Sequence, residues 1–161
     1  MSKFELLVRE MEHAYDQRDW YAPLKPALEG LSAQQASWRP EGEGVNTIWE
    51  TANHLLYYKR QLLHYLKDEE MSDCVQTNNE TFRVDFPHDE EAWQRTVSKL
   101  EDVQQELLSI VGTKHDEDFD TLLPDGEPMG NYISSLIRHD SFHTGQIIQL
   151  RKLQGSWPSK R

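Results

Sequence analysis

Residues 130–154 read GNYISSLIRHDSFHTGQIIQLRKLQ. Tyr132, Ile133, Leu136, Ile137, Ile147, Leu150 and Leu153 recur at helical spacing, with Gly155 just past the last of them and Pro158 beyond. The pattern predicts one long helix from about Gly130 to Gln154. Polar residues break its apolar stripe. With His139 at zero and about 100° per residue, His143 falls at about 40°, Tyr132 and Leu150 at about 20°, Leu136 at about 60°, Ile147 at about 80° and Asp140 at about 100°. Two imidazoles and a carboxylate therefore share the inward face. Burying them costs free energy unless each finds a partner.

The rest of the chain repeats the helical period. Phe4, Leu7, Val8, Met11 and Tyr15 predict a first helix over about Ser2 to Arg18. Pro23 and Pro26 permit only a short piece near Leu24 to Gly30. Ser32 and Gln35 have capping-box spacing ahead of Trp38-Arg39-Pro40, and Glu41-Gly42-Glu43-Gly44 reads as a loop. Asn46 or Thr47, the latter paired with Glu50, caps a second long helix running to about Lys67. Asp68 to His88 is polar and irregular, a length that marks a functional or mobile loop. Trp93, Val97, Leu100, Val103, Leu107, Ile110 and Val111 give a third helix from about Asp89, closed by Gly112. Asp116 to Pro124 reads as a connector with one helical turn. No strand pattern or internal repeat occurs, so the fold class is all-α: a single domain over 1–161, a four-helix bundle whose unequal links permit a crossover.

Composition narrows the function. The chain has 161 residues, 17 Lys+Arg against 28 Asp+Glu, and a net charge of -11. Such a charge disfavours nucleic acid, which needs a basic face. The longest apolar run is Leu55 to Tyr58, too short to span a bilayer. Cys74 is the one cysteine, and the start Met is followed by no apolar leader. These features predict a cytoplasmic globular protein with neither nucleic acid nor membrane as partner. Cys74 reads as incidental, having few cationic neighbours in sequence.

Neutral imidazole is a strong ligand for Zn, Ni, Cu or Fe, and the spacing His139-x-x-x-His143 lets two rings reach one ion. An i, i+4 pair among seven histidines arises often by chance, so the inward phase carries the argument. The plainer alternative is a pair of core histidines bonded to other side chains. A third ligand would come from the second long helix, where His54 lies at the edge of the apolar stripe beside Tyr58 and Thr51. Phase alone fits a ligand bordering a cavity and a half-exposed histidine equally well. His13, His64, His88 and His115 fall on polar faces or connectors and read as surface residues. The spacings Glu10-x-x-His13 and Asp140-x-x-His143 suit a di-iron bundle, but the outward phase of His13 opposes it.

Leu31-Ser32 through Trp38-Arg39-Pro40, then Ile48-x5-His54-Leu55, then residues 139–147 (HDSFHTGQI), with Arg151, Gly155 and Pro158 after them, resemble the DinB/YfiT-like superfamily over most of the chain. The resemblance implies a four-helix bundle in which His54, His139 and His143 bind one divalent metal. Many relatives carry arginine after the last histidine; here it is Thr144. The family includes thiol-dependent S-transferases, among them users of bacillithiol or mycothiol, isomerases of thiol conjugates and metal-dependent hydrolases. The resemblance also implies a homodimer.

Three imidazoles leave part of a cation's coordination sphere open, the arrangement of a catalytic rather than a structural site. An ion so held gives thiolate or hydroxide near neutral pH. The expected activity is a transferase or hydrolase that activates a thiol cofactor or water for attack on a small electrophile, with Zn, Ni or Fe as the metal and a low-molecular-weight thiol as second cofactor. Asp140 is a candidate for orienting a histidine, and Tyr58 and Gln146 for hydrogen-bonding a small-molecule substrate. The alternative is a non-catalytic metal- or small-molecule-binding bundle acting as a sensor or interaction protein, with Trp20, Trp49 and Trp157 as candidate contact residues.

Overall fold

The computed structural model of the chain describes residues 1–42 and 44–158. Glu43, in the loop expected at Glu41–Gly44, lies outside the described residues. Helix α1 spans Lys3–Tyr15, α2 Leu24–Leu28, α3 Ala33–Ala36, α4 Ile48–Lys67, α5 Glu90–Val111 and α6 Met129–Leu153, with 3-10 turns at Asn78–Phe82 and Asp116–Asp120.

Local chemistry sets the helix ends. Ser2, Ser32 and Thr47 each accept from the backbone N–H three residues on, while Glu5, Gln35 and Glu50 reach back to the cap N–H. Asp89 caps α5 through the backbone N–H of Ala92. These bonds satisfy donors that a helix start leaves free. Gly155 adopts φ +76 just past α6, a conformation that L side chains rarely take. At the other end of α6, Gly130 is needed for space: a Cβ there would lie 2.2 Å from the Phe119 ring. Phe119 in turn meets Phe4 edge-on at 6.2 Å, which ties the 3-10 turn to α1.

In the bundle, α1 and α4 each pack against both α5 and α6. Residue pairing gives the directions. Trp49 bonds to Thr96, Lys59 to Gln104 and Lys67 to Glu106, so α4 and α5 run parallel. Tyr15 bonds to Glu101 and Gln104 to Met11, so α1 opposes α5. Lys59 meets Asp140 and Tyr132 meets Gln61, so α6 opposes α4. The order is up, down, down, up.

The parallel α4–α5 pair explains the long loop. At 1.5 Å rise per residue, α4 is roughly 30 Å long, and the chain must return over that length before α5 can start in the same direction. Residues 68–88 make this return along α4. Asp73 pairs with Arg60, the N–H of Val75 with Tyr57, Asn78 with Tyr58, Thr81 with His54 and the Arg83 carbonyl with Asn53.

The core has two apolar clusters. One surrounds Leu24, Ile48, Trp49, Leu55, Trp93, Leu100 and Ile147; the other surrounds Phe4, Leu62, Leu107, Val111 and Ile133. Buried Lys59, Gln104, Asp140, His143 and Thr144 lie on the helix segments between them, and buried His54 sits on α4 beside Leu55 of the first cluster. The bundle is thus interrupted at mid-height by a polar layer, and the inward phase of His139, Asp140 and His143 was the sequence trace of it.

Arg151 anchors the far end of α6. Its buried guanidinium donates to the Ala27, Glu29 and Ser156 carbonyls at 2.8, 3.0 and 2.8 Å and lies 5.1 Å from the Trp157 ring centroid. It thereby pins α2 to the bundle. Among the described residues, no helix is long and apolar enough to cross a membrane.

Candidate metal centre

His54 projects from α4 into the polar layer, and His139 and His143 reach it from α6, one turn apart. The three residues offer ring nitrogens that all lie within 4.8 Å of one another. Ring centroids are separated by 4.8 Å for His54–His139, 4.8 Å for His54–His143 and 4.6 Å for His139–His143. His54 is 4% exposed, which resolves its ambiguous phase in favour of burial. Among the described residues this is the one histidine, cysteine or carboxylate cluster with metal-holding geometry.

Partner groups control the protons. His143 Nδ1 lies 2.7 Å from the Gln146 side-chain oxygen, which can only accept, so the ring proton sits on Nδ1 and Nε2 carries a lone pair. His54 Nδ1 lies 2.6 Å from the Thr81 hydroxyl. His54 Nε2 then faces His139 Nε2 at 2.8 Å.

Burial is the largest influence on all three rings. It holds His54 down to about 3, helped by the other two histidines, and His139 down to about 4, helped by His143 and Lys59. His143 is also lowered by burial, against the opposing pull of Gln146 and Asp140. All three are therefore neutral at physiological pH, the state in which imidazole binds a cation.

The donor set fits a divalent cation. Two nitrogens each about 2.1 Å from one ion stand roughly 3.0 to 3.4 Å apart between right-angle and tetrahedral coordination, so the 2.8 Å Nε2–Nε2 approach needs only a few tenths of an ångström of opening to admit an ion. His139 Nδ1 is buried without a hydrogen-bond partner. Without a cation the 2.8 Å contact between His54 Nε2 and His139 Nε2 is a hydrogen bond in which one nitrogen carries the proton; a shared cation would replace that proton and take both lone pairs.

A cavity of about 490 Å³ opens beside the cluster, lined by His54, His139, Tyr58, Asn78, Glu127, Tyr132, Ser135 and Leu136. Tyr58 stands edge-on to His54 and His139 at 5.0 and 5.3 Å and donates its hydroxyl to Asn78 at 2.8 Å. Burial, then Tyr57, raises its phenol above the usual value, so it stays protonated. Glu127 is the one charged group among these lining residues.

Of the other residues singled out from sequence, Gln146 meets His143, but Asp140 bonds to neither histidine. Its carboxylate lies 2.5 Å from Lys59 Nζ, and the two side chains are 5% and 1% exposed. Lys59 also donates to Gln104 at 2.7 Å, and Gln104 donates to the Met11 carbonyl at 3.3 Å. The remaining histidines lie outside the cluster: His88 and His115 are exposed, His13 bonds to Arg9, and His64 sits 3.7 Å from Glu69. Of the three tryptophans, Trp20 is 94% exposed, whereas Trp49 is buried edge-on against Trp93 and Trp157 packs under Arg151. Cys74 is exposed and donates to the Met71 carbonyl.

Sequence reading did not find Thr81, Phe82, Asn78, Lys59 or Gln104. Lys59 left a signal: it falls about 140° from His54, next to Ile48 and Leu66 on the buried arc of α4. The loop residues left none, since nothing periodic sets which of them faces α4.

Residues 18–147 match the family model described as the DinB superfamily. Searches of the curated proteins and of the solved structures each return no match.

Proposed function

The chain belongs to the DinB superfamily, and from that premise we propose that it is a divalent-metal-dependent enzyme that activates a thiol cofactor or water for attack on a small electrophile, as a thiol S-transferase or hydrolase. The observation that carries the reading is the meeting of three neutral imidazoles with an open cavity of about 490 Å³. His54, His139 and His143 would hold the ion. When bound, a Zn, Ni or Fe ion supplies Lewis acidity, lowering the pKa of a thiol or water that reaches its open positions.

The chain's own residues divide the remaining work. Burial keeps the three rings neutral and free to donate lone pairs. Gln146 holds the His143 proton on Nδ1, turning Nε2 toward the cluster. Tyr58, protonated and fixed by Asn78, offers the cavity wall a hydrogen-bonding group for a small-molecule substrate. Asp140 neutralises Lys59 and so supports α6 at the level of the histidines. In the transferase version the sulfur forms a bond to the electrophilic carbon while the bond to the leaving group breaks and that group departs with the electron pair.

The lining favours a class of small molecule. It offers aromatic and aliphatic surface from Tyr58, Tyr132 and Leu136, neutral polar groups from Asn78 and Ser135, and the Glu127 carboxylate. The ion would supply the positive charge at the histidine end, for one anionic donor such as a thiolate; no lysine or arginine lines the rest, so the remainder of the molecule suits the Glu127 wall better neutral or amine-bearing than with several carboxylates or phosphates. Exposed Phe142 and Leu153 on α6 support a homodimer, which sedimentation velocity tests.

The decisive experiment purifies the chain without a histidine tag, measures its metal and assays the loaded protein with thiols and an alkylating electrophile. About one equivalent of divalent metal per chain and a metal-dependent rate support the reading. One equivalent without any rate favours a sensor. No metal uptake on titration removes both.

A further inference from the structure

The loop at 68–88 contributes to the histidine cluster in a way its irregular sequence conceals. Its return along α4 brings the 3-10 turn Asn78–Phe82 over His54. Thr81 is buried there, and its hydroxyl donates to the Asn78 carbonyl at 2.6 Å. A carbonyl has no proton to give and a threonine hydroxyl has only one. The Thr81 oxygen, 2.6 Å from His54 Nδ1, can therefore act toward the ring only as an acceptor. Phe82, next in the chain, stacks on the same ring with centroids 4.0 Å apart and planes 10° apart.

We infer that Thr81 is a positioning residue for the centre: by passing its single proton to Asn78 it commits His54 to the Nδ1–H tautomer and presents the Nε2 lone pair to His139 and His143, while Phe82 fixes the ring plane. The inference rests on the metal-binding reading for its consequence but not for its geometry. The relay is independent of the identity of any ion. It also assigns a role to the loop. The shortest chain able to return from the end of α4 to the start of α5 would not need a helical turn at mid-length. This one has such a turn where the polar layer lies, with its threonine against the buried ring. Outer partners of this kind orient a histidine and raise its basicity, and their loss weakens metal affinity by about 10- to 100-fold.

The test uses the full chain with Thr81→Val, which removes the hydroxyl at nearly constant shape, Thr81→Ser, which restores it, and Thr81→Ala as a second deletion should the valine variant fail to fold. Long-range proton–nitrogen correlation spectra of metal-free, 15N-histidine-labelled protein report the His54 tautomer directly. Zinc affinity is measured by competition with a chromophoric chelator. The wild-type ring is expected in the Nδ1–H form. Thr81→Val or Thr81→Ala should shift it toward the other tautomer and weaken zinc by about 10- to 100-fold, and Thr81→Ser should recover affinity to within about threefold. A wild-type tautomer in both hydroxyl-deleted variants, or a serine variant as weak as valine, overturns the assignment. If the wild-type protein takes up no zinc, the metal reading fails, and the tautomer spectra alone then decide the role of Thr81.

Discussion

Lys59 Nζ and the Asp140 carboxylate meet 2.5 Å apart in the middle of the bundle, with 1% and 5% of their side chains exposed. The pair joins α4 to α6 at the height where the two helices present their histidines. Removing one member of a buried pair strands the other charge, whereas replacing both with apolar groups is often nearly neutral. Lys59→Met alone should therefore lose about 3–5 kcal/mol of stability in urea denaturation, and the Lys59→Met/Asp140→Leu double variant should recover most of it. Equal losses in the single and double variants would show that the pair contributes little beyond its volume.

The metal-free protein should weaken as pH falls. The unfolded rings take up protons near the ordinary value of 6.5, while the folded rings resist until about 3 for His54 and about 4 for His139, and His143 shifts in the same direction. Between these limits the unfolded chain binds more protons than the folded one, so stability is full above about pH 6.5 and declines as pH drops toward the folded values. Chemical denaturation at pH 7, 6 and 5 measures the slope. His54→Gln/His139→Gln should flatten it, and a wild-type slope of zero would contradict the neutral-ring assignment.

The cavity lining predicts charge discrimination. Cobalt-substituted protein titrated with cysteamine, 2-mercaptoethanol and 3-mercaptopropionate reports sulfur binding through its charge-transfer absorption. The cation should bind better than the anion, and Glu127→Gln should narrow the gap by about fivefold, the scale of one screened charge at a solvent-facing wall. A preference for the anion, or none, would remove Glu127 from the account.

Gly130 predicts a steric limit. A methyl group at this position enters the Phe119 ring, which already packs on Phe4. Gly130→Ala should cost about 1–3 kcal/mol despite the better helix propensity of alanine. Combining it with Phe119→Leu should relieve part of the loss in the same denaturation assay. An unchanged or raised midpoint for Gly130→Ala alone would show that the ring moves freely.

Much of this architecture was legible in the chain because it is written locally. Ser32 with Gln35 and Thr47 with Glu50 mark helix starts within four residues, and both capping boxes form. The first helix ends earlier than its apolar period suggested, at Tyr15 rather than near Arg18, because the Asp16 backbone leaves the helical region at φ -138. The phase of His139 and His143 placed them inward on arithmetic alone, and His54 needed coordinates because its face borders two environments. Thr81 and Phe82 were unreadable for a different reason. Their placement follows from the parallel course of α4 and α5, a property of the whole bundle that no short window of sequence contains. The Lys59–Asp140 pair lies between these cases: each residue has a buried phase on its own helix, yet only the packing of α4 on α6 matches them.

The central claim is that His54, His139 and His143 share one divalent cation. Zinc-edge X-ray absorption on protein loaded with one equivalent tests it most directly. The account predicts a first shell containing three imidazole nitrogens at about 2.0–2.1 Å, with a drop in imidazole number when His54 is replaced by alanine. A shell dominated by sulfur or carboxylate oxygen, or one that His54→Ala leaves unchanged, would contradict it.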